Sequence, residues 1–64
     1  MNKGSVVVAV GQITEEVDGA EVVHAEQGDQ GEVLDVLESA EWRMVRWSRA
    51  GTVCQCHLDE ITSA

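Results

Sequence analysis

Trp42-Arg43-Met44-Val45-Arg46-Trp47, followed by Ser48-Arg49-Ala50-Gly51 and then Thr52-Val53-Cys54-Gln55-Cys56, is the stretch on which the fold turns. Side chains alternate between two faces along an extended chain. Trp42, Met44 and Arg46 therefore point one way, and Arg43, Val45 and Trp47 the other. The spacing predicts a strand over 42–47, a short hairpin connection at 48–51 and a paired strand over 52–56. Further on, His57 to Glu60 predicts a single helical turn, with Asp59 and Glu60 capping or flanking it, before Ile61.

Upstream, Ser5 to Val10 is one Ser followed by five apolar residues, which predicts a first strand buried on both sides. From Gly11 to Gln30 the chain turns polar and acidic. Asp18-Gly19 signals one turn, and Asp29-Gln30 between Gly28 and Gly31 signals another. Within this segment Glu21-Val22-Val23-His24 reads as a short strand or as the returning arm of a long hairpin loop. Glu32 to Leu37 predicts a strand directly after a glycine turn. The alternative is a helix running through Glu41, since Val33, Leu34 and Leu37 would then share a face.

The composition favours strands throughout: eleven valines, two isoleucines and three leucines, with no Phe or Tyr. Branching at Cβ restricts χ1, which costs little on a pleated surface and more in a helix. The expected fold is all-β, a single domain over 1–64 forming an SH3-like barrel of about five strands, with a short helical turn before a last strand at Ile61 that would close it. Closure also removes exposed strand edges. A chain of 64 residues buries only about 60% of the surface its unfolded form exposes, so it holds one small core. There is no internal repeat, low-complexity tract or proline, and the whole chain is expected to fold apart from a few terminal residues.

Twelve Asp and Glu against four Lys and Arg give a formal charge of −8. That charge repels the phosphates of nucleic acids and the head groups of anionic membranes, so neither is an expected partner. It serves solubility, or it steers the molecule toward a basic partner. No apolar run approaches the ~20 residues that cross a bilayer, and Met1-Asn2-Lys3-Gly4 lacks the apolar core of a signal peptide. The expected location is the cytoplasm, with Cys54 and Cys56 reduced. Alternation puts both thiols on one face of an extended strand, with a separation beyond the roughly 4 Å between Cβ atoms that a disulfide requires.

The arrangement Gly28-Asp29-Gln30-Gly31-Glu32-Val33, then Val45-Arg46-Trp47, then Cys56-His57-Leu58-Asp59-Glu60-Ile61 resembles the small SH3-like modules that accompany iron-sulfur and photosynthetic machinery. These are the NifZ family of nitrogenase accessory proteins, the PsaE subunit of photosystem I and the variable chain of ferredoxin-thioredoxin reductase. The NifZ pattern is the nearest of the three. It has a glycine-flanked turn before a valine strand and a cysteine four residues ahead of a Glu-Leu ending, places held here by Cys56 and Glu60-Ile61. The resemblance runs from about Gly4 to Ile61. The chain departs from the pattern in being shorter at both ends and in carrying Cys54. Because all three groups dock or assemble other proteins, the resemblance implies an accessory role in a larger complex, possible nitrogen fixation included.

Cys54-Gln55-Cys56-His57 is the cluster with evident metal chemistry, and His24 becomes a further candidate ligand if the long loop folds back. The competing readings are structural thiols packed in or beside the core and a redox-sensing or transiently bridged pair. With no second Cys-rich knuckle, a structural zinc finger is not expected. Trp42 and Trp47 lie on opposite faces of their strand. Trp47 belongs inside with Val45, while Trp42 is either an ordinary surface Trp or part of an exposed patch with Arg43 and Arg46. Arg43, Arg46 and Arg49 either pair internally with Glu32, Asp35, Glu38 or Glu41, or form a basic docking patch for an acidic partner such as a ferredoxin-like protein.

No nucleophile triad and no glycine-rich phosphate loop stands out, so an enzyme is not expected, nor is a cofactor. Two Trp without Tyr or Phe cannot readily build the aromatic groove that grips proline-rich peptides. The expected function is a small acidic protein-interaction module that binds another protein through Trp42, Arg43, Arg46 and Arg49, as a monomer or weak homodimer. The alternative is a redox-sensing or metal-handling protein using Cys54, Cys56 and a histidine, His57 or His24.

Overall fold

Valine-rich segments pair as antiparallel strands along the whole chain, which the computed structural model describes over residues 1–64. The strands are β1 (Val6–Ala9), β2 (Ile13–Val17), β3 (Ala20–Ala25), β4 (Gln30–Val36), β5 (Trp42–Trp47), β6 (Val53–His57) and β7 (Ile61–Ser63). A 3-10 turn over Leu58–Glu60 separates the last two. Five strands form one sheet in the order β6-β5-β4-β1-β7, and β2 and β3 form a separate two-stranded ribbon.

Alternation along each strand builds a single inner face. Val7 and Ala9 of β1, Val33 of β4, Val45 and Trp47 of β5, Cys54 and Cys56 of β6, and Ile61 of β7 are all buried in one cluster. Ile13 and Ala25, register partners at the base of the ribbon, complete it. Gly31 in β4 faces both Val7 and Trp47 across its two ladders. A Cβ there would lie 2.7 Å from Val45 Cγ1 and 2.9 Å from Trp47 Cε3, so the missing side chain is the space the indole occupies.

The hairpin read from residues 42–56 forms in that register, with Val45 opposite Cys54 and Arg43 opposite Cys56. The helical turn is also present. Its entry is a reciprocal cap: the Glu60 carboxylate accepts from the His57 backbone N–H at 2.9 Å, and the Asp59 N–H donates to His57 Nδ1 at 3.1 Å.

Three expectations change. The sheet does not close into a barrel: β6 and β7 are its two edges, and neither joins the other or the ribbon in a ladder. The first strand is buried on one side only, because Val6 and Val10 are exposed and Val8 is half-buried while Val7 and Ala9 are enclosed. The turn after β3 lies at Glu26–Asp29, closed by the Asp29 N–H on the Glu26 carbonyl at 3.0 Å, and Gly31 sits inside β4. The acidic segment after Gly11 is a two-stranded ribbon with an irregularity between Ile13 and Thr14; it reverses at the expected Asp18 (φ 50°) and Gly19 (φ 80°), with Glu21–His24 on its returning strand. Both turn residues adopt left-handed backbone, the geometry that an Asp-Gly pair supplies to a two-residue hairpin. The helix alternative at Glu32–Glu41 gives way to β4, which carries an irregularity between Val33 and Asp35.

Candidate functional site

The three arginines expected to form a basic patch do not form one. Arg43 stands on the inner face of β5 and is buried. Its Nε donates to the Met1 carbonyl at 2.7 Å, and its Nη1 donates to the carbonyls of Ala40 at 2.7 Å and Trp42 at 3.0 Å. It is thus a buckle tying the N terminus and the β4–β5 loop to the sheet. The parity that places Val45 and Trp47 inside places Arg43 there too, which removes it from any exposed patch with Trp42. Arg46 donates to Glu32 across the β4–β5 pair at 2.8 Å, one of the internal pairings expected for it. Arg49 instead clamps Asp29, with Nη2 2.7 Å from Oδ2. The Arg49 hydrogen bond, seconded by the Glu26 N–H, holds the Asp29 carboxyl below its usual range. Trp42 is half-buried, its ring meeting His57 edge-on with centroids 5.1 Å apart.

Of the four Lys and Arg, Arg46 and Arg49 each have a carboxylate partner and Arg43 is held by backbone carbonyls, so the free charge is negative. Residues 4–42 contain ten Asp and Glu and no Lys or Arg. The ribbon concentrates this charge: Glu15, Glu16, Asp18 and Glu21 lie along β2, the turn and β3. Glu16 and Glu21 are direct register partners. Like charges opposed across a ladder destabilise it, on the order of ~0.5 kcal/mol. Val17 and Val23 are exposed on the same ribbon, at 43% and 40%. Sequence reading missed Glu15, Glu16 and Glu21 as candidates, although the cation-free run from Gly4 to Trp42 is visible in the letters.

Between the ribbon and the free edge of β6 lies a groove of about 390 Å³, lined by Thr14, Glu15, Met44, Val53, Cys54 and Gln55. His24, 4% exposed, anchors the ribbon beside it. One ring nitrogen, Nε2, lies 2.9 Å from Glu15 Oε1 and the other, Nδ1, 2.7 Å from Thr52 Oγ1. An ionised Glu15 can only accept, so Nε2 carries the proton and, in the neutral ring, Nδ1 accepts from the Thr52 hydroxyl.

The thiols of Cys54 and Cys56 are both free and buried, with their sulfurs 3.7 Å apart. The side chains lean together more closely than the spacing of an ideal strand suggests. Trp47 Nε1 is buried without a hydrogen-bond acceptor. It faces the two sulfurs closely enough to favour their ionised forms. The pair is electrostatically asymmetric. The thiol of Cys56, as donor, brings Cys54 down to about 7 against burial, with smaller help from the Trp47 N–H and His24. The same interaction, together with burial, pushes Cys56 well above the ordinary thiol range.

The four candidate ligands do not converge. His57 is held by the 3-10 turn, with Nε2 3.3 Å from Glu41 Oε2, and both nitrogens of His24 are engaged. No three His, Cys, Asp or Glu side chains come together with metal-site spacing. The site thus comprises an acidic ribbon, a groove and a buried dithiol on the groove wall. Compared with protein-family models, curated proteins and solved structures, the chain matches none.

Proposed function

We propose that this chain is a protein-interaction module, an accessory or assembly subunit that acts by contact without catalysis, and that it docks a basic protein surface on the β2–β3 ribbon. The observation that carries this reading is Glu16 opposite Glu21, with no cation nearby to offset the pair. A free protein that keeps two like charges face to face retains a local cost, which a lysine- or arginine-rich partner relieves on docking. The same field raises the encounter rate with such a partner. Exposed Val23, on the ribbon face that Glu16 and Glu21 share, supplies apolar contact beside the carboxylates, a mixture suited to a small docking surface.

The strand order β6-β5-β4-β1-β7 supports placing this domain among SH3-like small barrels, with the ribbon as the long excursion between the first two sheet strands. So do the tight β5–β6 hairpin and the 3-10 turn before β7. In that reading the groove between β2 and β6 is where the barrel stands open. The accessory role implied by the resemblance to NifZ-type modules is retained, with the partner's charge reversed from acidic to basic.

Affinity capture from native lysate at low and at high salt, with wild type beside a Glu16→Gln/Glu21→Gln variant, tests the reading. Capture of basic proteins that is lost in high salt and lost in the variant is expected. An unchanged captured set with the variant overturns it.

A further inference from the structure

Docking at the ribbon leaves unused the one buried cluster of nucleophilic groups in the molecule. We propose that Cys54 and Cys56 form a reversible dithiol–disulfide switch opening onto the groove, in which Cys54 attacks a small-molecule disulfide of the glutathione type and Cys56 resolves the adduct. This goes beyond the interaction reading and stands without it.

Position assigns the roles. Cys54 lines the groove beside Val53 and Gln55, whereas Cys56 is fully enclosed. A reagent in the groove therefore meets Cys54 first. The sulfurs, at 3.7 Å, already touch. Trp47 adds a supporting pointer: its buried N–H lacks an acceptor and favours the ionised form of Cys54, a thiolate being a far better acceptor than a thiol.

The chemistry balances. The Cys54 thiolate attacks one sulfur of the disulfide, forming a mixed disulfide and expelling one thiolate, which takes up a proton. Until that moment the main obstacle to ionising Cys56 is its interaction with Cys54. Capping Cys54 removes the negative charge, so Cys56 can lose its proton, attack Cys54 Sγ and expel the second small thiol. The protein dithiol gives up two electrons and two protons, and the disulfide becomes two thiols.

The product is strained. Residues two apart in a strand have Cα atoms about 6.7 Å apart, at the upper end of the disulfide range. Closing the bond must pucker β6, and strained disulfides are the readily reduced ones, which suits a switch and not a staple. Val53 and Gln55, on the same groove wall, shift with it.

The test incubates reduced, folded protein with oxidised and reduced glutathione at graded ratios, quenches with acid and reads intact mass, with circular dichroism on the same samples. Wild type is expected to lose two hydrogen masses and retain no glutathione. Cys56→Ser should retain one glutathione, and Cys54→Ser should react at least tenfold more slowly. If a variant fails to fold, limiting iodoacetamide on wild type, followed by peptide mapping, reads the same asymmetry, with Cys54 labelled first. Thiols that stay reduced in the folded protein at every ratio overturn the proposal. So does equal labelling of the two cysteines, or reaction no faster than global unfolding measured by hydrogen exchange. Loss of basic-protein capture by the ribbon variant leaves all of these readouts unchanged, so the two proposals fail separately.

Discussion

Replacing Gly31 by Ala tests whether the indole of Trp47 packs as described. A Cβ at this position meets Val45 Cγ1 at 2.7 Å, Trp47 Cε3 at 2.9 Å and the Arg46 carbonyl oxygen at 3.0 Å. Comfortable contact between carbon atoms begins near 3.5 Å, so the first two must each retreat by roughly 0.6–0.8 Å. Val45 and Trp47 are fully buried, and the Arg46 carbonyl belongs to the β5 backbone, so none of the three yields cheaply. Overpacking of this kind costs about 1–3 kcal/mol. Against it stands a gain of about 0.4–1 kcal/mol from the stiffer unfolded chain, leaving a net loss of about 1.3 kcal/mol. For a chain this short the expected total stability is only about 3–10 kcal/mol, and the loss lowers the Tm by roughly 5–10 °C. Thermal melts followed by far-ultraviolet circular dichroism measure it, with Gly11→Ala as control. Gly11 has open space and no left-handed backbone, so its substitution should stay within about 0.5 kcal/mol of wild type. A Gly31→Ala protein that melts within about 2 °C of wild type refutes the packing of Trp47 against β4.

Glu21→Lys turns the opposed Glu16–Glu21 pair into an attractive one. Urea denaturation should show a gain of about 0.5–1 kcal/mol, while capture of basic proteins weakens. Trp47→Phe removes the unpaired indole N–H along with some ring volume. Removing the orphan donor, a burden of about 1–3 kcal/mol, offsets part of the packing loss. Cys54 also loses one of the groups that hold its proton loosely. Alkylation at neutral pH should slow in this variant, with the fold intact by circular dichroism. Stability should also depend on pH through the thiol pair. Between about 7 and the unperturbed 9.0, native Cys54 has released a proton that the unfolded chain still holds, so stability rises with pH across that window. Above 9 the sign reverses, because unfolded Cys56 ionises while native Cys56 keeps its proton. Urea midpoints at half-unit pH steps should pass through a maximum near 9 that is absent in a Cys54→Ser/Cys56→Ser variant.

Most of the sheet was legible because it rests on period-two burial. The 42–47 alternation put Val45 and Trp47 inside, and Cys54 and Cys56 followed from the hairpin register. The β2–β3 ribbon was only half legible, since four of the five β2 residues and three of the six in β3 are exposed. A strand without a buried face shows no alternation to read; Asp18-Gly19 marked the turn, and Glu21–His24 only part of the returning strand. The five-residue apolar run from Val6 to Val10 misled for a related reason. β-branched residues suit strands whichever way they face, so Val6, Val8 and Val10 gave no hint of pointing outward. Closure of the sheet is set by strand tilt and stagger, quantities that no residue pattern along the chain encodes.

The site was harder to read than the fold because charged residues carry two physical roles under one letter. Arg43, Arg46 and Arg49 cluster in sequence, yet strand parity buries the first among backbone carbonyls, the β4–β5 ladder pairs the second with Glu32, and the third reaches Asp29 between the loops flanking those strands. Subtracting those pairs leaves Glu16, Asp18 and Glu21 of the ribbon without an ion-pair partner. Two departures from local self-consistency then stand out: a like-charge pair held face to face on the ribbon and a buried indole N–H with no acceptor beside two thiols. Such violations are expected where function outweighs stability. Cys54 lines the groove, whereas Glu16 and Glu21 lie outside its lining, on the ribbon that supplies Thr14 and Glu15 to the opposite wall.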